Sequence, residues 1–313
     1  KKMFYDPKQR LSTLVTPPQT KGNYVKRKGR SGRTEDGHFF ALYTEAELAS
    51  RAEHEVPEFI QSDITPDILW LKSAGKDIYT YDFKDKPMKE VLDQAVESLQ
   101  KLGALDSEGN ITPIGKEMAD MDEDPQYARM LIEAKKRNCT NEVALVIGAL
   151  KTNNSIFELS RGETVVSKYA ELVDPSSDVI TFLKGWNASV SSNGEGFNKE
   201  AIESIKKERN KLKRGSSSAD VVGVSLETKE QVDAINLSIA SGIADKKILR
   251  DSGGVYKYDG AIYTGIKIDK KSGFYNKSDS EALSIKVNSN KKPGGDVESY
   301  SEWNMKFDKD QLI

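Results

Sequence analysis

Lys26-Arg27-Lys28-Gly29-Arg30-Ser31-Gly32-Arg33-Thr34 sets two arginines three residues apart, each directly preceded by a glycine. A guanidinium is permanently charged and grips phosphate oxygens in a bidentate fork. Glycine lets a backbone turn tightly and approach a partner closely. Two such forks on a short turn suit the terminal phosphate of a nucleotide. The competing reading is a basic, glycine-rich stretch that attracts anions without specificity.

Working outward from this string decides between them. It is similar to the last signature motif of the DEAH/RHA-type RNA helicases, Q-R-x-G-R-x-G-R, which completes an ATP site between two RecA-like domains. Asp36 to Thr44 (D-G-H-F-F-A-L-Y-T) then resembles the family's strand G-x-C-F-R-L-Y-T. Val56-Pro57-Glu58-Phe59 resembles P-E-I, Ile68 to Gly75 resembles V-L-x-L-K-x-L-G, and Tyr81 to Pro87 resembles F-D-F-x-D-x-P. Leu99 to Asp106 (L-Q-K-L-G-A-L-D) and Thr112 to Leu131 (T-P-I-G-K-E-M-A-D-M-D-E-D-P-Q-Y-A-R-M-L) follow at matching spacing. Several strings in the right order are more specific than any one. The likeness is continuous through about residue 152 and looser beyond.

The resemblance implies a parent protein that couples ATP hydrolysis to 3′–5′ translocation along, and unwinding of, RNA. Arg30 and Arg33 would be its arginine fingers, with Lys26, Arg27, Gly29 and Gly32 shaping the nucleotide-binding turn. Single-stranded RNA is the implied partner, with DNA left open and an activator protein at a C-terminal OB-like domain a further one. Two departures qualify this. Lys26 stands where the family has glutamine. The chain also lacks the phosphate loop G-x-x-x-x-G-K-[ST] and the D-E-x-H box. Asp122-Glu123-Asp124 is no substitute, because it follows the arginines. ATP and Mg²⁺ are therefore expected of the full-length protein and not bound to this chain alone. The chain, which starts at Lys1, reads as the C-terminal part of a longer helicase, cut inside the second RecA-like domain. A non-catalytic RNA-binding or partner-docking module is the alternative.

Composition sets outer limits. Charged residues make up 31% and hydrophobic ones 37% of 313 residues, enough for two to four domains. No run approaches the ~18 apolar residues of a membrane span, and no signal peptide is visible. Cys139 is the one cysteine, which suits a reducing compartment. The expected location is cytoplasmic, or nuclear in a eukaryote. With only His38 and His54, a His/Cys metal site is not expected. Net charge is −2, yet residues 1–34 carry +9.

The expected fold is multidomain α+β. Residues 1–50 read as a remnant of RecA-like domain 2, with a hairpin of Met3-Phe4-Tyr5 and Leu11 to Val15 that places Lys8 and Arg10 near its tip. Residues 51–122 read as a winged helix. Val91, Leu92, Ala95, Val96, Leu99 and Leu102 recur at helical spacing, Gly103 stops the helix, and Asp106 to Asn110 forms the wing turn. Its helix carries Glu90, Asp93 and Glu97, poor chemistry for phosphate, which favours a linking role. Residues 123–249 read as a ratchet-like helical bundle. Asp124-Pro125 opens one helix, Thr140 caps the next, and Thr228 with Gln231 opens a last one running to about Leu249. Trp186 is read as core. A helix over 197–214 presents Lys206, Lys207, Arg209, Lys211, Lys213 and Arg214 outward. Lys207, Lys211 and Arg214 are the candidate phosphate contacts, set against a solvated helix face. Residues 250–313 carry strand signals and read as an OB-like β-barrel, whose aromatics (Tyr256, Tyr263, Phe274, Tyr275, Trp303) are stacking candidates or core.

Overall fold

Either side of Asp6-Pro7 the chain pairs with itself as a hairpin, β1 (Lys2–Asp6) with β2 (Leu11–Val15), Lys2 opposite Val15 and Asp6 opposite Leu11. The computed structural model describes residues 2–6, 11–152, 154–212, 223–243, 247–250, 256–258, 266–275, 281–291 and 297–306. After the hairpin come α1 (Lys21–Lys28), α2 (Glu45–Ala49) and α3 (Glu58–Gln61).

The next layer is built by local signals. In α4 (Thr65–Ser73) Ile68, Leu69 and Leu71 are buried. In α5 (Lys89–Lys101) Leu92, Ala95 and Leu99 form the inner stripe. Gly103 ends α5 in the left-handed region, φ +71°, and the Gly103 and Ala104 amides bond back to Gln100 and Leu99. Leu105 bridges Ile111 across the wing turn, where the Asp106 carboxylate accepts from the Glu108 and Asn110 amides at 3.0 and 2.8 Å. Thr112 then caps α6 (Pro113–Asp120), accepting from the Gly115 amide at 3.0 Å. A Cβ on Gly115 would lie 2.1 Å from the Ala104 carbonyl oxygen, so glycine is required there.

Asp124 caps α7 (Pro125–Lys136) through the Gln126 amide. This helix has two apolar faces. Ala128 and Ile132 join the core of α4–α6, while Met130, Leu131 and Ala134 join the core that follows. α8 (Thr140–Thr152) is buried continuously from Val143 to Leu150, and Thr140 is its first residue, not its cap. After the short α9 (Val165–Lys168), α8 is flanked by α10 (Asp178–Ser191), with Trp186 fully buried, by α11 (Lys199–Leu212) and by α12 (Lys229–Ser241). Thr228 and Gln231 form the reciprocal cap of α12. The helix stops at Gly242, short of Leu249. A Cβ on Gly242 would meet the Gln126 oxygen at 2.4 Å, and the following Lys247–Arg250 is a strand.

That strand, β3 (Lys247–Arg250), opens the sheet completed by β4 (Tyr256–Tyr258), β5 (Ile266–Ile268), β6 (Glu281–Lys291) and β7 (Val297–Met305). β4 pairs antiparallel with β3 and β5, and β5 runs parallel to β7. β6 bonds to three strands: β3 at Glu281–Leu283, β7 along Leu283–Lys291, and β2 at Ser289–Asn290. The hairpin thus belongs to the C-terminal sheet, a pairing across more than 270 residues that no local pattern encodes. Ala282 to Ile285 are all buried, so this part of the strand is covered on both faces, while Lys286 and Val287 beyond it are half-buried.

The sheet meets α10 through Asp178. Its Oδ2 accepts from Ser272 Oγ (2.6 Å), Asn304 N (2.8 Å) and Asn304 Nδ2 (3.4 Å), and its Oδ1 accepts from Gly273 N (2.7 Å). Burial pushes this carboxyl up to about 6 from an ordinary 3.8, outweighing the four donors that favour its charge. A carboxyl raised in the folded state stabilises fully below its unfolded value and loses that contribution as pH rises through its folded value. The contribution of Asp178 therefore falls between about pH 4 and 7, by on the order of 3 kcal/mol. In calorimetry at about pH 5 and about pH 8, the wild-type Tm is expected to fall more steeply with pH than that of Asp178→Asn. Parallel pH dependence would mean the carboxyl titrates normally.

Candidate functional site

The arginine segment is held from one side. Thr20 caps α1 through the Asn23 amide, and the Lys21 and Gly22 amides donate to the Ala52 and Glu53 carbonyls at 3.0 and 2.9 Å. Lys21 Nζ also pairs with Glu53 at 3.2 Å. The Tyr24 ring meets Phe39 edge-on at 5.4 Å and Tyr43 at 6.4 Å, while the Arg51 guanidinium lies 3.8 Å above Tyr43. Residues 39–55 thereby clamp α1. Its last turn carries Lys26, Arg27 and Lys28, whose charges complement the negative end of the helix dipole. Arg30 and Arg33 follow in an exposed turn, and neither pairs with a carboxylate among the described residues.

The glycines act differently from their expected part. Gly29 has ordinary helical dihedrals, φ −66°, and a Cβ on Gly32 would meet nothing within 4 Å. The steric demand is at Gly37, where a Cβ would sit 1.7 Å from the Ser31 carbonyl oxygen. Gly37 closes the arginine turn. The sequence signal for it is the Asp36-Gly37 dipeptide, a turn former.

No strand forms over 36–44. The residues still alternate: Phe39 and Tyr43 turn to Tyr24, while Phe40 and Leu42 are 83% and 97% exposed. This is a strand's side-chain period with no neighbouring strand among the described residues to supply the ladder.

Two of the five nucleic-acid candidates, Lys207 and Lys211, fall among the described residues, both on α11. Lys8, Arg10 and Arg214 lie outside the described residues. Lys207 is exposed on α11, but Lys211 lies 2.5 Å from Glu208 and Lys206 lies 2.8 Å from Glu203. Arg209, expected outside, is only 6% exposed and bonds to Asn210 and Asn141. α11 packs closely on α8 at Gly148, which turns the Arg209 position inward. Trp186 and Phe274 are buried, and Trp303 packs 5.2 Å from Phe182. Tyr256 and Tyr263 side chains lie outside the described set. No cluster of three or more His, Cys, Asp or Glu side chains able to hold a metal occurs among the described residues, and no described helix is long and apolar enough to cross a membrane. Trp70, within the Ile68–Gly75 string, is 62% exposed on α4, and Asp178, whose side chain no local pattern marks, is buried.

The clash at Gly37 makes a measurable contrast. Gly37→Ala is expected to open the arginine turn and speed tryptic cleavage after Arg30 and Arg33 several-fold, whereas Gly32→Ala leaves the cleavage rate unchanged. Equal effects would place the constraint elsewhere.

Comparison with known proteins agrees with this architecture. Residues 95–121 match the winged-helix helicase-associated domain (HA2), and residues 124–221 match its ratchet-like part. The pre-mRNA-splicing factor ATP-dependent RNA helicase prp22 of Schizosaccharomyces pombe is 32% identical over 187 residues, covering 58% of this chain and 16% of that protein. Two crystal structures of Escherichia coli HrpB, described as a DExH-box NTPase and as a DEAH/RHA helicase, superpose on 99% of this chain with TM-scores of 0.64 and 0.65. Their identities are 20% and 19%, and the chain spans 33% and 34% of their lengths. With adjacent winged-helix and ratchet-like helicase-associated modules, the chain is similar to the C-terminal part of a DEAH/RHA helicase.

Proposed function

We propose that this region serves an ATP-dependent RNA helicase in which Arg30 and Arg33 act as arginine fingers on the γ-phosphoryl group of ATP. The observation that carries the reading is their presentation: both are exposed, free of described carboxylates, and set at the end of a helix clamped by main-chain and aromatic contacts. Lys26 and Arg27 sit in the preceding turn, where they add positive charge beside the same phosphates. When bound, ATP with Mg²⁺ supplies the phosphoryl group whose negative charge these side chains neutralise. Carboxylates of a D-E-x-H box, a motif this sequence does not contain, would hold the Mg²⁺ in the parent protein. Phe40 and Leu42 support the same view, since their bare faces fit a sheet of the second RecA-like domain supplied from there.

The remaining modules handle the strand. The winged helix is a pivot, and the ratchet-like helices with the sheet close over RNA that moves 3′ to 5′. The pairing order β3–β4–β5–β7–β6, with β6 returning to β3, supports an OB-like barrel. An activator protein at that sheet and a cytoplasmic or nuclear location complete the reading, with single-stranded RNA as the partner and DNA as the alternative strand.

In the parent protein, Arg30→Ala or Arg33→Ala is expected to lower kcat for RNA-stimulated ATP hydrolysis at least ~10²-fold with little change in RNA affinity. Loss confined to RNA binding would reduce the segment to a basic patch. Lys207→Gln is expected to flatten the log–log salt dependence of RNA binding by about 0.7. Lys211→Gln changes it less, because Glu208 already neutralises that charge. Unchanged slopes would assign α11 to solvent.

A further inference from the structure

The bonds around Asp178 all point one way. Ser272 gives its single hydroxyl proton to Asp178 Oδ2 and accepts from Phe274 N (3.0 Å) and Asn304 Nδ2 (3.2 Å). Ser301 Oγ donates to Asn304 Oδ1 at 2.7 Å, so in its 2.6 Å contact with Ser284 it accepts, and Ser284 donates. The chain of donors runs Ser284, Ser301, Asn304, Ser272 and ends on the carboxylate. Every member is buried. The apolar part of the seam, Leu283, Ile285 and Met305 against α8 and α10, is non-directional and tolerates small slips. The polar part does not, since a slipped sheet leaves buried donors unpaired.

Register matters here for a second reason. β6 carries a bulge between Ser284 and Val287, directly beside the Ser284–Asn304 pair. A bulge interrupts the ladder and bends the strand, so the pairing on its far side depends on how the near side is held. Beyond the bulge, at Ser289 and Asn290, β6 holds β2. α1 begins at Lys21, six residues after β2 ends at Val15, and leads to the arginine turn.

We propose that Asp178 is a positioning residue that fixes the register of the sheet on α10 and, through β6, holds the β1–β2 hairpin that leads into the arginine segment. An ionised acceptor at the N-terminal end of α10 thereby governs a strand reached only through the sheet. This inference concerns the folded chain and stands independently of whether the parent hydrolyses ATP.

Hydrogen–deuterium exchange on the 313-residue chain at about pH 7 tests it. Asp178→Asn keeps one acceptor oxygen and sets its NH₂ against either the Gly273 N–H or the Ser272 and Asn304 donors, a clash of donors whichever way the amide turns. Exchange of Gly273, Asn304 and the β2 segment is expected to rise about tenfold, while α5, in the other core, keeps its protection. Faster exchange at Gly273 and Asn304 with β2 unchanged overturns the proposal, because the contact would then be local. If Asp178→Asn does not fold, Ser272→Ala removes one donor and leaves the carboxylate with Gly273 and Asn304. It is expected to speed exchange in β2 about threefold without affecting α5. A uniform rise across β2 and α5 in the variants that fold also overturns it.

Discussion

α7 has to satisfy two cores at once, and the arrangement of the helical layers depends on that constraint. Ala128 and Ile132 lie four apart and face the winged-helix side, while Met130, Leu131 and Ala134 face α8 and α12. A helix with one apolar stripe would leave one of these cores open to water. Arg129 strengthens the sharing: its Nε donates to the Leu102 carbonyl at the end of α5, and its Nη1 pairs with Glu133 at 3.0 Å in a mostly buried setting. Asp124-Pro125 fixes where this helix begins, and so fixes how the two layers meet.

Charge is divided along the chain in a way that assigns work to its parts. Residues 1–34 carry +9, whereas residues 51–122 hold sixteen acidic and eight basic side chains, a net −8. Residues 51–122 are thus net acidic, and Asp93 is held by Lys89 and Tyr79 of its own layer. The arginine segment carries the densest positive charge among these parts. α11 contributes less than its composition suggests, because Glu203 and Glu208 each occupy a neighbouring lysine.

What could be read from the sequence was local. Gly103, Thr112 before Pro113, Asp124 before Pro125, and Thr228 with Gln231 each satisfy backbone groups within a few residues, so their outcome follows from neighbours alone. What could not be read depends on distant partners. The pairing of β2 with β6 needs both strands already folded. Arg209 is buried because α11 lies close on Gly148, although charge patterning alone puts it outside. The last helix ends early because Gly242 must admit the Gln126 carbonyl. Within the candidate site the arginines were legible as chemistry, whereas their support by Tyr24, Gly37 and Arg51 was not.

That support also explains the bare face of the segment. Phe39 and Tyr43 spend their apolar surface on Tyr24, so α1 is fixed relative to residues 39–55. Phe40 and Leu42, pointing the other way, leave large apolar groups in water, which costs about 1.5–3 kcal/mol for each side chain that burial would otherwise cover. A segment with one face anchored and one face uncovered is stable in shape but incomplete in cover. The orientation of Arg30 and Arg33 is therefore set by this chain, through the clamp and through Gly37, while Phe40 and Leu42 stay bare on the opposite side.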